Sequence, residues 1–282
     1  MRERSFVVDE GCKRSLAEAG IMSIESVFRF AGGRNLAKSN IGSWRQRIEF
    51  RTEDGCTFYL KRYKGAGALT QLRNWLTHGR IGSFAGFDVH PSVELAGAGI
   101  QTPRVAAHGE QWGVLFEKRS FSITEQIARG EALERRLPRC FADKSPYGLR
   151  EKRAFLRRLG KWAAKFHASG WRHRDFYLAH IFLTDSGQFY LIDLQRAFKP
   201  IRLAERYRLK DMAQLYYSMP QADFSRTDRM RVYLAYAGTD RLRYSDRKLI
   251  AGVLRKAARM ARHDRRHGRT APYERNAQIG AA

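Results

Sequence analysis

The sequence predicts an α+β fold on three observations: paired short runs of β-forming residues in the first half, helical spacing of apolar residues in the second, and enough apolar residues for a sizeable core. The chain has 282 residues, 43% hydrophobic and 12% aromatic, which suits one large domain or two lobes at roughly 100 to 200 residues per domain. In the first half, "WRQRIEFRTEDGCTFYLKRYKG" places Ile48 and Phe50 before an Asp54-Gly55 turn and Phe58 and Leu60 after it, at period two. That is a β-hairpin pattern, with Lys61 inside the second strand. "GVLFEK", residues 113–118, is expected as another short strand with helix beyond it. Upstream, "AGGRNLAKSNIGSW" is a Gly, Ser and Asn-bearing connection, long enough to fold over a ligand but without the glycine spacing of a known phosphate loop.

The second half opens on "LREKRAFLRRLGKWAAKFHASGW", where Phe155, Leu159, Trp162, Ala163 and Phe166 recur at helical spacing and Gly170 ends the helix. Arg158, Lys161 and Lys165 fall on the opposite face. "IFLTDSGQFYLID" then reads as a second hairpin around an Asp-Ser-Gly turn. "RLKDMAQLYYSM" and "DRKLIAGVLRKAARMARHDRR" read as further helices, and the final "RHGRTAPYERNAQIGAA" as a loose tail without periodic apolar positions.

Charge narrows the partners. Fifty-three Lys plus Arg against 28 Asp plus Glu leave a formal charge of +25, which favours nucleic acid, an anionic membrane face or phosphorylated substrates. The aromatic residues fall mostly at core spacing and are not interleaved with the basic ones, which argues against nucleic acid. From Arg241 to Arg269 eleven Lys or Arg face only Asp246 and Asp264, and Leu249, Val253, Leu254, Ala257, Met260 and Ala261 make an apolar stripe. Such a helix is expected either on an anionic membrane surface or as the last helix of a domain with a wet basic side. Cys12, Cys56 and Cys140 are too few and too scattered for a disulfide framework or zinc cluster. No window approaches the roughly 20 apolar residues of a membrane span, so the expectation is a soluble, cytoplasmic protein.

The chemistry lies in "HRDFYLAHIF", residues 173–182, and "YLIDLQRA", which follows it closely. Asp175 precedes the second hairpin and Asp193 ends it, eighteen residues later. A tight hairpin can bring two such aspartates to one sheet edge, one as base and the other as metal ligand. Phosphoryl transfer needs this and a cation on the phosphates, because its demands are positioning and charge neutralisation.

"GWRHRDFYLAHIFL", "LIDLQRA", the strand "FYLKRY" and "RLKDMAQLYYS" together resemble the lipopolysaccharide kinase family, which phosphorylates heptose or Kdo sugars of the lipid A inner core, from about residue 20 to about residue 235. The resemblance implies a two-lobed protein-kinase-like fold, with an antiparallel N-terminal lobe (1–118), a mainly helical C-terminal lobe (119–270) and the tail (271–282). It implies ATP with magnesium as cofactors, Asp175 as catalytic base, Asp193 as metal ligand and Lys61 as the lysine of the α and β phosphates. His173, Arg174 and Asp211 would brace the catalytic loop. Either Asp88 or Glu94 would pair with Lys61; Glu94 is placed in a short helical run starting at Pro91, which is expected to break any helix carrying both acids. His180 stands where protein kinases place a magnesium-binding Asn, and imidazole is a poor magnesium ligand. It is read as a hydrogen-bonding partner of a carboxylate or phosphate, or as a packed loop residue. An anionic glycolipid acceptor implies a place at the inner face of the inner membrane. Two alternatives stay open: a phosphotransferase for another small-molecule or protein hydroxyl, and a nucleotide-binding pseudokinase or basic binding module.

Overall fold

The computed structural model describes residues 4–36 and 44–272. The chain forms two compact units, Met1–Ala128 with Asp193–Ala197, and Arg129–Ile192 with Phe198–Ala282. Part of the "AGGRNLAKSNIGSW" connection, residues 37–43, and tail residues 273–282 lie outside the described residues.

The first unit contains β1 (Arg4–Val8), α1 (Lys13–Glu18), α2 (Ile24–Arg29), β2 (Arg34–Asn35), β3 (Arg45–Arg51), β4 (Thr57–Lys64), α3 (Ala68–His78), α4 (Gly86–Gly97), β5 (Val105–Trp112) and β6 (Glu117–Glu125). Its strands form one antiparallel sheet in the order β1-β5-β6-β4-β3-β2. The expected hairpin is β3–β4, with Ile48 opposite Leu60 and Phe50 opposite Phe58. Gly55 supplies the turn's left-handed residue at φ +85°. Period-two alternation separates the faces of β4. Phe58 and Leu60 pack with Phe121, Ile123 and Ala107 and with Leu16, Ile24 and Val27 of α1 and α2. On the opposite face Tyr63 packs with Phe84 and Ala85 at the entry to α4. Lys61 shares that second face, so the sheet points it away from the apolar core.

Two expectations for this unit are corrected. Residues 113–116 of "GVLFEK" are the turn between β5 and β6, closed by the Gly113 N–H on the Phe116 carbonyl, and the chain beyond continues as strand to Glu125. Their apolar character reflects an exposed hairpin tip. The boundary expected at residue 118 therefore falls inside β6. Pro91 also fails to break its helix: α4 runs through it and carries both Asp88 and Glu94. Proline removes one backbone donor, and burial of Phe87, Val89 and Leu95 holds the turn regardless.

The second unit contains β7 (Gly130–Ala132), α5 (Leu133–Cys140), α6 (Pro146–Ala168), β8 (Ile181–Thr184), β9 (Phe189–Leu191), α7 (Ala204–Tyr217), α8 (Arg226–Ala237) and α9 (Tyr244–Arg266). Helix α6 starts with Ser145 as N-cap, accepting from Gly148 N–H, and Pro146 in the first turn. It buries Leu156, Leu159, Ala163 and Phe166 and exposes Arg158, Lys161 and Lys165. The second hairpin is β8–β9, with β7 on its outer edge. In α9 the apolar stripe is not a free surface. Ala257 and Ala261 are buried with Tyr217 of α7 and Ala271, and Val253 is buried as well. The helix is an integral part of its unit, with Arg255, Arg259 and Arg262 exposed. Its small residues suit close packing on α7 and leave little for a bilayer.

Candidate active site

Lys61 lies on the central part of the sheet, paired with Arg47 of β3 and Ser122 of β6. Its Nζ is 2.6 Å from Asp88 Oδ2 and 3.4 Å from Asp193 Oδ1. The side chains of Lys61 and Asp88 are 9% and 8% exposed, and that of Asp193 29%. Burial alone would favour the neutral amine. The carboxylates of Asp88 and then Asp193 outweigh it, so the pKa lies above the ordinary lysine value and the ammonium persists. Glu94, the alternative partner, pairs with His90 at 3.1 Å on the exposed side of α4. Of the two acids, Asp88 is the one that meets Lys61.

The position of Asp88 is built from β6. The Glu117 carboxylate accepts the Phe84 N–H at 2.8 Å, and the Ser120 hydroxyl accepts the Ala85 N–H at 3.1 Å. Both groups fasten the entry to α4, at its N-cap Ala85 and the residue before it, three to four residues ahead of Asp88. Burial raises the Glu117 carboxyl to about 7, against the hydrogen bonds it takes from the Ser120 side chain and the Phe84 N–H. Asp193 adopts the left-handed conformation, φ 58° and ψ 56°, before a single 3₁₀ turn, Leu194–Arg196. A non-glycine residue there is uncommon and marks a constrained position. The turn is held by the buried Leu194 and by His78 of α3, whose Nε2 is 3.0 Å from the Gln195 carbonyl oxygen.

In the second unit the segment 173–180 is held from beneath by one face of α7. Asp211, fully buried, accepts the N–H groups of His173 and Arg174, each at 2.8 Å. Gln214 accepts the Phe176 N–H at 3.0 Å and donates to the Arg174 carbonyl at 2.7 Å. Ser218 accepts the Leu178 N–H at 3.0 Å. The spacing of these three side chains, three and four residues, is that of one helix face. Arg174 has φ +69°, so these bonds stabilise a strained backbone, and its guanidinium lies 5.3 Å from the Phe198 ring centre. His173 accepts the Asp175 N–H on Nδ1 at 3.3 Å and faces the Ile192 carbonyl with Nε2 at 2.9 Å. Its partners thus assign the Nε2–H tautomer. His180 Nδ1 is 2.7 Å from the Asp175 carbonyl oxygen, and its own carbonyl accepts the Ile192 N–H at 3.0 Å. The imidazole therefore braces the loop backbone at Asp175.

Sequence reading missed three supports: His78, Gln214 and His167. His167 lies between Tyr236 OH, 2.8 Å from Nδ1, and Asp211 Oδ2, 3.4 Å from Nε2. Burial, its largest influence, lowers its pKa despite Asp211. Spacing on α7 could have revealed Gln214, but nothing local marked His78.

Among the described residues no three or more His, Cys, Asp or Glu side chains cluster as a metal site. Magnesium commonly takes one or two carboxylates and completes its shell with waters and substrate phosphates, and the oxygen donors of Asp193 fit that habit. His180, with Nδ1 turned to a backbone carbonyl, fits it poorly.

The chain matches the Lipopolysaccharide kinase (Kdo/WaaP) family over residues 38–236. It belongs to that family. It is 28% identical over 235 residues to the lipopolysaccharide core heptose(I) kinase WaaP of Pseudomonas aeruginosa, covering 79% of this chain and 86% of the relative. It is also 28% identical over 193 residues to that of Escherichia coli K12, covering 65% and 71%. The solved structure of WaaP in complex with acyl carrier protein has a TM-score of 0.67, with 24% identity, 91% of this chain covered and 99% of that one. That likeness shows the kinase-like fold. This kinase is an ATP-dependent phosphotransferase of lipopolysaccharide biosynthesis. Among the described residues no helix is long and apolar enough to cross a membrane.

Proposed function

We propose that this kinase transfers the γ-phosphoryl group of ATP to a heptose hydroxyl of the lipopolysaccharide inner core. The observation that carries the reading is the buried Lys61–Asp88 pair at 2.6 Å, combined with the heptose(I) kinase activity named for both relatives. Lys61 binds the α and β phosphates and Asp88 holds its ammonium in place. Asp193 takes magnesium, which when bound neutralises phosphate charge. Asp175 aligns the acceptor hydroxyl and accepts its proton. His173, Arg174 and Asp211 keep the loop backbone in register, and His180 supports it without binding the metal. The intact pair at Lys61 speaks against a pseudokinase.

The acceptor is tested with labelled ATP and two extracted lipopolysaccharides, one carrying unphosphorylated heptose and one ending at Kdo. Label should enter only the heptose-bearing acceptor. Equal labelling of the Kdo-only form would contradict the heptose assignment.

Association with an acyl carrier protein is a second reading, favoured by the solved neighbour. In the second unit, a cavity of about 420 Å³ lined by Met212, Leu215, Met219, Met230 and Val253 supports it as a place for an apolar group. Co-purification with the tagged kinase is the corresponding test, and a kinase that copurifies with no carrier would count against it.

A further inference from the structure

Helix α3 is turned inside out for a helix on a water-facing surface. Its inward residue is Gln71, 2% exposed. The Gln71 amide donates to the carbonyls of Ala66 and Glu117 at 2.9 and 3.0 Å and accepts the Glu117 N–H at 2.8 Å. Trp75 donates to the Gly82 carbonyl at 2.8 Å and stacks on Phe116. These bonds fasten the helix to the start of β6 and leave its leucines outside. Leu69, Leu72 and Leu76 are 60%, 43% and 82% exposed, at the three- and four-residue spacing of one face. The β5–β6 hairpin tip lies beside the start of the helix, where Ala68, Gly113, Val114 and Leu115 line one shallow depression. Val114 and Leu115 are 92% and 68% exposed. Leucine and valine are among the residues most often buried, and their exposure together on one helix face and on the tip beside that helix's start marks an interaction surface.

Charge identifies the occupant. From Gly65 to Phe87 the sequence contains no Asp or Glu, while Arg73 on the helix and Lys64 and Lys118 at the strand ends that flank it are exposed. Two copies of this chain meeting through the patch would bring like charges together. An apolar helix face rimmed by cations matches the boundary between anionic headgroups and acyl chains. We propose that the outer face of α3 and the tip of the β5–β6 hairpin seat this kinase on an anionic bilayer. The surface is independent of the acceptor assignment, and the readouts that decide it, vesicle binding and the dye shift, require no catalysis.

The test uses the full-length protein and sedimentation with vesicles of phosphatidylethanolamine and phosphatidylglycerol, against vesicles of phosphatidylcholine. Wild type should bind the anionic vesicles, less as salt rises. A variant combining Leu72→Ser, Leu76→Ser, Val114→Ser and Leu115→Ser should lose binding roughly tenfold or more. Its melting temperature, and its activity on detergent-dispersed acceptor, should stay unchanged. A variant of α9 combining Arg255→Gln, Lys256→Gln, Arg259→Gln and Arg262→Gln should keep most of its binding. As an independent measurement, Leu76→Cys in a Cys140→Ser background, labelled with an environment-sensitive dye, should shift to the blue on anionic vesicles. Unchanged binding by the serine variant, or no dye shift, overturns the proposal. So does wild-type self-association that the serine variant abolishes while vesicle binding persists, because the patch would then be an interface between copies.

Discussion

The Lys61 ammonium and the Asp88 carboxylate form a buried ion pair 2.6 Å apart, with Ser122 Oγ 3.5 Å from the same carboxylate oxygen. Removing one partner leaves the other charge buried, which typically costs about 3–5 kcal/mol, whereas removing both costs much less. Asp88→Leu alone should therefore destabilise the protein more than Lys61→Met with Asp88→Leu together. Urea denaturation of the two single variants and the double variant measures the coupling. Additive effects would mean that the pair contributes nothing to stability, and both single variants should in addition lose kinase activity.

Glu117 gives a prediction with a sign. Its folded pKa is raised from 4.5 to about 7 by burial, so between these values the folded protein keeps a proton that the unfolded chain releases. Its contribution to stability is fully present below the unfolded value and is lost as pH rises through the folded one. Glu117→Gln stays neutral and keeps an acceptor for the Phe84 N–H. The variant should match wild type near pH 4.5 and exceed it by up to roughly 3 kcal/mol near pH 8. Thermal melts of both proteins across that range decide it, and a gap that shrinks with rising pH would contradict the account.

Gly160 of α6 faces α8 at close range. A Cβ there would overlap the Val232 carbonyl oxygen and come within 2.8 Å of the Ala235 methyl. Gly160→Ala should cost about 1–3 kcal/mol through overpacking, and it should displace Tyr236, whose hydroxyl meets His167 behind Asp211. Denaturant midpoints test the stability, and a variant as stable as wild type would show that α8 yields freely.

Asp193→Asn should weaken binding of ATP in the presence of magnesium while sparing binding without it, since one charge leaves the metal's shell. Titration calorimetry with and without magnesium separates the two. Equal affinity of variant and wild type for magnesium-ATP would remove Asp193 from the metal site.

Local pattern made much of this molecule legible. The β3–β4 hairpin, the core face of α6 and the β8–β9 hairpin follow from period-two and helical spacing and from turn residues, all local signals. Val114 and Leu115 carry a strand's hydrophobicity without being buried, and at Pro91 tertiary packing overrides a missing donor. In α9, spacing identified an apolar stripe but could not say that α7 covers it. The choice between Asp88 and Glu94 needed three dimensions: both lie on one helix, whose entry is pinned to β6 by Glu117 and Ser120, and Asp88 meets Lys61 while Glu94 meets His90.

Asp175 is the residue on which the proposed chemistry turns. The most direct measurement is turnover of labelled ATP onto heptose-bearing lipopolysaccharide by wild type and Asp175→Ala, with nucleotide affinity measured in parallel. The account predicts a loss of at least about a hundredfold in turnover, in line with the roughly 10²- to 10⁴-fold range of general acid–base groups, with nucleotide affinity nearly unchanged. A variant that keeps more than about a third of wild-type turnover would contradict it, because the same range demands a far larger loss.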